Sequence, residues 1–358
     1  MPGMKKGLPR LLVFNYAMDP ADSVFSHQFD VVNELSKDFQ NLTVITSKIG
    51  RNIPSVKYKI INGNWNDARS ILSLIHFIFL FLKEILLRKP DIIFSHMTEV
   101  QSAVTSPFTK IFGIKHYLWY AHTSKSIYLR FSSLFVDGIL TSTYGSCPIQ
   151  KSNTFIIGQS IKPQQFQFHN HTFQKNRINF IHVGRMDTSK EIEKIIDLVS
   201  NYNLNIAEAS LTLVGKPTKR SIDANYPQKI LSKIESSEFK INTLGNVERD
   251  KLSELFQNHD VFIHLFQGSL DKTLVEATFS GLPVVTVNKE YLRCFGTWGS
   301  LTVSQGDILT QMRECLKLSS NALEKELKRR RDIALQMHSF DKWMKKLTHI
   351  LLNGELKI

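Results

Sequence analysis

The sequence predicts an α/β protein built from two doubly wound domains, and three observations carry that prediction. Its 358 residues exceed what a single hydrophobic core usually organises. Short β-rich runs alternate with stretches of helical periodicity, a pattern that builds parallel sheets through right-handed crossovers. A polar stretch over 158–175, rich in Gln, His and Asn and without an apolar period, separates two such arrays and is expected to be a linker.

The elements follow in order. A β-rich run at 10–15 leads into a polar loop, Tyr16 to Asp22, and a helix is expected to start near Ser23, a good N-cap. Phe25, Phe29, Val32 and Leu35 lie on one face of that helix, and LTVIT at 42–46 is the next strand. A helix over 71–89 stops before Pro90. Strands at 91–94, 117–120, 138–141 and 155–157 then enclose helices at 98–112 and 126–135. In the second array, strands are expected at 178–183, 211–214, 240–244, 261–264 and 283–287. Helices are expected between them at 190–200, 227–236, 251–257 and 273–280, and the stretch 307–352 reads as helical throughout.

Composition narrows the function classes. The hydrophobic fraction of 42% belongs to a folded globular protein. The net charge of +13 favours nucleic acid, an anionic membrane surface or phosphorylated small molecules as partners. Nucleic acid is disfavoured because no nucleic-acid-binding motif accompanies the charge. Cys147, Cys294 and Cys315 are far apart, which suggests neither a disulfide framework nor a zinc site and fits a cytoplasmic setting. The apolar run at 11–14 is too short for a signal-peptide core. The longest apolar segment, 71–82, is broken by Lys83 and Glu84 and falls short of the ~20 residues a bilayer span needs. It is expected to be a core helix, with a helix lying in a membrane surface as the alternative.

In parallel α/β sheets, ligands bind beyond the carboxyl ends of the strands. There the strand INFIHV runs into Gly184, Arg185, Met186, Asp187 and then Lys190. The glycine permits a close turn, the guanidinium offers a planar fork for phosphate oxygens, and Lys190 adds a compact charge. Surface charges near a helix start are the plain alternative. The strand VFIHL runs into Gly268, Ser269, Leu270, Asp271, Lys272 and Thr273, whose amides open a helix that carries Glu276. A helix start attracts anions, and a carboxylate in the first turns can accept two ribose hydroxyls. His96 and His264 end strands but form no metal-ligand spacing, so no metal is expected. Lys325 to Arg331 reads as a solvated helix face or a lipid-headgroup anchor, and Trp343, Met344, Leu347 and Ile350 form an apolar stripe.

Four blocks in order, VGRMDTSKEIEKII, LTLVGKP, INTLGNVERDKLSELFQNHDVFIHL and GSLDKTLVEATFSGLPVV, resemble the C-terminal domain of the retaining glycosyltransferases of family 4. PADSVFSHQFDVVNELSKDFQNLTVITS, PDIIFSHM and YLWYAHTSKS resemble the N-terminal domain more loosely. The resemblance implies the GT-B fold: two Rossmann-like domains facing a central cleft, with the C-terminal helix crossing back. It places an acceptor domain at 1–160, completed by a helix over 340–358, and a donor domain at 176–339.

The resemblance also implies roles for single residues. Arg185 and Lys190 would neutralise the donor diphosphate as it leaves, and Glu276 would hold the ribose. Gly184 and Gly215 would let backbone approach the nucleotide, and Val247 would lie near the base. Ser269, Leu270, Lys272 and Thr273 would hold the diphosphate or sugar, and His122 matches a histidine near the transferred sugar. Family members often carry an acid at the position where this chain has Gly268, and Asp271 is the candidate replacement. The glycine-rich first loop of the family is absent; the segment from Tyr16 to Asp22 stands there.

The implied activity is sugar transfer from a nucleoside diphosphate sugar to an acceptor hydroxyl with retention, in cell-surface glycan or polysaccharide assembly. It needs no cofactor. The implied partners are a glycan or lipid-linked acceptor and, peripherally, an anionic membrane. Two alternatives remain: an epimerase or phosphorylase on the same fold, and a non-catalytic protein that keeps the fold.

Overall fold

The computed structural model describes residues 7–22, 24–65, 70–173, 176–217, 223, 225–299 and 307–356. The chain forms two compact units, Met1–Ser160 with Asp341–Ile358, and Ile161–Phe340.

The first unit contains β1 (Arg10–Met18), α1 (Ser26–Leu35), β2 (Gln40–Ile49), β3 (Lys59–Asn62), α2 (Ile71–Arg88) and β4 (Ile92–His96). It continues with α3 (Glu99–Ile111), β5 (Lys115–Trp119), α4 (Ile127–Ser132), β6 (Gly138–Thr141) and β7 (Thr154–Ile156). The strands form one parallel sheet in the order β3-β2-β1-β4-β5-β6-β7. Leu12, Phe14, Ile45 and Ile93 of its central strands pack with Phe77, Phe81 and Ile85 of α2. The α2 helix ends where Lys89 turns left-handed, at φ 46°, just before Pro90.

The second unit contains β8 (Arg177–Val183), α5 (Ile192–Asn205), β9 (Glu208–Val214), α6 (Tyr226–Glu235), β10 (Lys240–Gly245) and α7 (Arg249–Gln257). After these come β11 (Val261–His264), α8 (Lys272–Phe279), β12 (Val284–Thr286), α9 (Lys289–Phe295), α10 (Ile308–Leu316) and α11 (Ser320–His338). Its strands are parallel in the order β10-β9-β8-β11-β12. The last helix, α12 (Phe340–Asn353), belongs from Asp341 onward to the first unit, where Trp343 is buried against Trp119 and His96. Two doubly wound parallel units of this kind are the GT-B fold class.

Several local expectations change. Ser23 lies outside the described residues, and α1 begins at Ser26. The segment Tyr16 to Met18 is strand rather than loop, because it stays in register with β2 while Gln28 Oε1 accepts the Tyr16 and Ala17 amides at 2.9 and 3.1 Å. The half-buried edge strand β3 and the helix α9 were not expected. The polar stretch after Gly158 is no free tether: Phe166 is fully buried in the second unit, and the His169 amide donates to Ser280 O at 3.0 Å.

In the 325–331 run, expected as a solvated helix face, Lys325, Lys328 and Arg329 are exposed while Arg330 is buried. Arg329 and Arg330 both pair with Glu326, at 2.7 and 2.8 Å, and Arg330 is buried under the Trp298 ring. Arg331 donates to the Phe279 carbonyl.

Candidate functional site

In the second sheet the strand order reverses between β8 and β11, so the loops leaving these strands open a crevice at the switch point. Both residue clusters singled out in the sequence sit on those loops.

After β8 the chain turns at Gly184, whose amide donates to Val214 O at 2.9 Å. Gly215 lies against it with φ at +141°, and a Cβ there would fall 1.8 Å from Gly184 O. Only glycine fits that position, for conformational and steric reasons together. Asp187 then caps the turn Thr188–Lys190 through the Ser189 amide, and Glu191 adopts a left-handed backbone. This delays α5 to Ile192 rather than the expected 190, and it turns Lys190 inward. The Arg185 side chain stays largely exposed, its Nε 3.5 Å from Asp187.

Lys190 is buried, and its ammonium pairs with the Asp271 carboxylate and lies 3.9 Å from the centre of the Phe266 ring. Asp271 also accepts from His264 Nε2 at 3.1 Å. Burial works against an ionised Asp271, but the attraction of Lys190 and the histidine bond prevail and hold it well below the usual carboxylate range. Burial also lowers His264 despite Asp271, so a neutral imidazole donates to an acceptor-only carboxylate. The neighbouring His182 is pushed down to about 3 by burial and by His264, and its Nδ1 donates to Ile263 O at 3.0 Å. Asp271 precedes α8 as its N-cap residue, yet its side chain makes no capping bond to the helix. Its carboxylate serves Lys190 instead.

Glu276, one turn into α8, is buried and pairs with the Arg249 guanidinium at the start of α7. Between them, burial and the nearby Arg249 push Lys272 down to about 7, with Glu276 opposing. Val247 packs beside the buried cluster around α8, and Ser269 and Leu270 are buried. Thr273 Oγ1 is enclosed without a hydrogen-bond partner among the described residues. His122 belongs to the first unit, exposed in the loop after β5, where its Nδ1 accepts the Ser124 amide at 2.9 Å.

Three participants escaped sequence reasoning. Asn288 is buried, and its amide donates to the carbonyls of Phe266, Gly268 and Ser269 at 3.0 to 3.2 Å, fixing the β11–α8 loop. Its signal was available: an Asn directly after an apolar run and before a helix is an N-cap pattern. Phe266 and Arg249 carried no such signal. Phe266 explains Gly268, where a Cβ would lie 2.1 Å from its ring. The space for a side chain at this position is filled by the ring beneath Lys190. Among the described residues, no three of His, Cys, Asp and Glu are grouped to hold a metal ion.

Residues 163–294, which contain this crevice, match the model of the family described as glycosyl transferases group 1. No curated protein sequence matches the chain significantly. Among solved structures, a sucrose-phosphate synthase from Thermosynechococcus elongatus superposes with TM-score 0.74 at 14% identity, covering 96% of this chain and 98% of its own. HepE from Anabaena, in complex with UDP and glucose, gives TM-score 0.72 at 14% identity, covering 96% and 99%. The lipopolysaccharide outer core galactosyltransferase WaaB gives 0.67 at 12%, covering 97% and 100%. At these identities the likeness establishes the shared fold.

Proposed function

We propose that the protein is a glycosyltransferase that moves a sugar from a nucleoside diphosphate donor to an acceptor hydroxyl, with retention of configuration. The observation that carries this reading is the switch-point crevice, where Arg185, Lys190 and the start of α8 supply positive charge beside the buried Glu276 carboxylate, and Lys272 is poised to take up a proton beside an anion. A nucleoside diphosphate has the matching chemistry, two phosphates and a ribose diol. That HepE was solved with UDP and glucose agrees with such a donor. Glu276 would accept the ribose hydroxyls, Val247 would face the base, and Gly184 and Gly215 would admit the backbone close to the nucleotide. Ser269, Leu270 and Thr273 would line the diphosphate and sugar.

In the reaction the bond from the anomeric carbon to the diphosphate breaks, and a bond to the acceptor oxygen forms on the same face. The departing phosphate oxygen takes the acceptor proton. Negative charge grows on the diphosphate, so fixed cations there stabilise the transition state more than the ground state. In this scheme Lys190 is the pre-set cation and Asp271 its holder. No cofactor is required. A glycan or lipid-linked acceptor in cell-surface glycan assembly fits the kinship in fold with WaaB.

A second reading, a protein that keeps the fold without transfer, is favoured by one observation: the Phe266 ring occupies the side-chain space at Gly268, the position where the resemblance leads one to expect an acid. Labelled UDP- and GDP-sugars separate the two. Transfer or slow hydrolysis of one donor supports the transferase; a free epimerised nucleotide sugar would point to an isomerase. A donor set left wholly intact favours the non-catalytic reading.

A further inference from the structure

The first unit carries a second surface that the proposed transfer does not use. Its strand order steps in one direction from β3 to β4, β5 and β6, so right-handed crossovers place α2, α3 and α4 on one face of the sheet, with α2 packed on α3 and α3 on α4. The α2 helix is apolar on both sides. Phe77, Phe81 and Ile85 face the core, while Leu72, Ile75, Phe79 and Leu86, spaced by three, four and seven, lie on the opposite side. Leu72 is 79% exposed and Phe79 63%. The neighbouring helices add two further exposed apolar residues, Ile111 at the end of α3, 78% exposed, and Ile127 at the start of α4, 74% exposed. An uncovered apolar face of this extent signals a binding surface.

Its charges identify the occupant. Every exposed charged residue on the three helices is basic: Lys83, Arg88, Lys110 and Arg130. The two acids on them are withdrawn, Glu84 buried against Lys59 and Glu99 half-buried. Lys83 sits between Phe79 and Leu86 on the exposed stripe, where a long side chain can lay its stem on lipid and raise its ammonium to a phosphate. No helix among the described residues is long and apolar enough to cross a membrane. We propose that this face docks shallowly on an anionic lipid bilayer, with Phe79 and its neighbours among the acyl chains and the basic residues at the headgroups.

The test is sedimentation of the full chain with vesicles of phosphatidylcholine alone or with 30% phosphatidylglycerol. Wild type should bind the anionic vesicles at least tenfold more tightly than the neutral ones. Lys83→Glu with Arg88→Glu should lose at least tenfold on anionic vesicles. Leu72→Ser with Phe79→Ser should lose as much at unchanged charge, circular dichroism confirming its fold. Equal binding to both vesicle types, no binding, or an unaffected double-serine variant would each overturn the proposal. So would a wild-type dimer that the double-serine variant converts to monomer without any vesicle binding.

Discussion

Lys190 and Lys272 flank the same β11–α8 loop, yet the fold treats them in opposite ways. Lys190 is buried and partnered, with the Asp271 carboxylate and the Phe266 ring built around its side-chain nitrogen. Lys272 has no ion pair among the described residues, and burial with Arg249 nearby lowers it to about 7. The difference teaches that one cation is a fixed part of the crevice, while the other is left to take its charge from whatever anion arrives. A phosphate beside Lys272 would restore its proton, so ligand and proton binding are linked there.

The sharpest way to break this comparison is Lys190→Ala. It strands a partly buried Asp271 carboxylate, and urea unfolding should show a loss of about 3 kcal/mol. Adding Asp271→Asn should recover most of that loss. A cost no larger than about 0.5 kcal/mol, the usual surface value, would mean Lys190 is not fixed by its partner.

Arg185→Ala should leave stability within about 0.5 kcal/mol, since the side chain is exposed and its contact with Asp187 is long. Its effect should appear in donor turnover, reduced about 100-fold in an assay of labelled sugar release.

Lys272 offers the smallest effect and the clearest sign. Its folded value of about 7 lies below the ordinary lysine value of 10.5, so between those pH values the unfolded chain binds more protons and wild-type stability rises with pH. The slope from this residue is at most about 1.4 kcal/mol per pH unit. Lys272→Met should remove that rise in urea titrations from pH 7 to 9. An identical pH profile in the variant would place Lys272 in solvent.

Much of this architecture could be read from the chain because it is local. The strand INFIHV, Gly184 and the run from Gly268 to Glu276 declare themselves through periodicity and glycine placement within a few residues. Gly215 is named only through the family resemblance, for approach to a nucleotide, whereas the close neighbour in the fold is Gly184 O. The partnerships were hidden. Lys190 and Asp271 are 81 residues apart, on loops after different strands, and Arg249 and Glu276 are 27 apart, on different helices, and only the sheet order brings them together. Asp271, expected as a stand-in for the missing acid, is already engaged by Lys190 and His264. The edge strand β3 was hidden for another reason: half-buried and short, it lacks the apolar run that marks β1 or β8. The α2 helix shows the limit of composition, since a run apolar enough for a core helix buries only one of its faces.

Central to the proposed function is a nucleoside diphosphate in the β8–β11 crevice, with Glu276 on its ribose. Calorimetric titration of UDP and GDP into the wild type and into Glu276→Gln tests it directly. One nucleotide should bind the wild type at a single site, and the variant should bind it at least tenfold more weakly, a loss of about 1.4 kcal/mol. A wild type that binds neither nucleotide, or a folded variant that binds as tightly as the wild type, would contradict it.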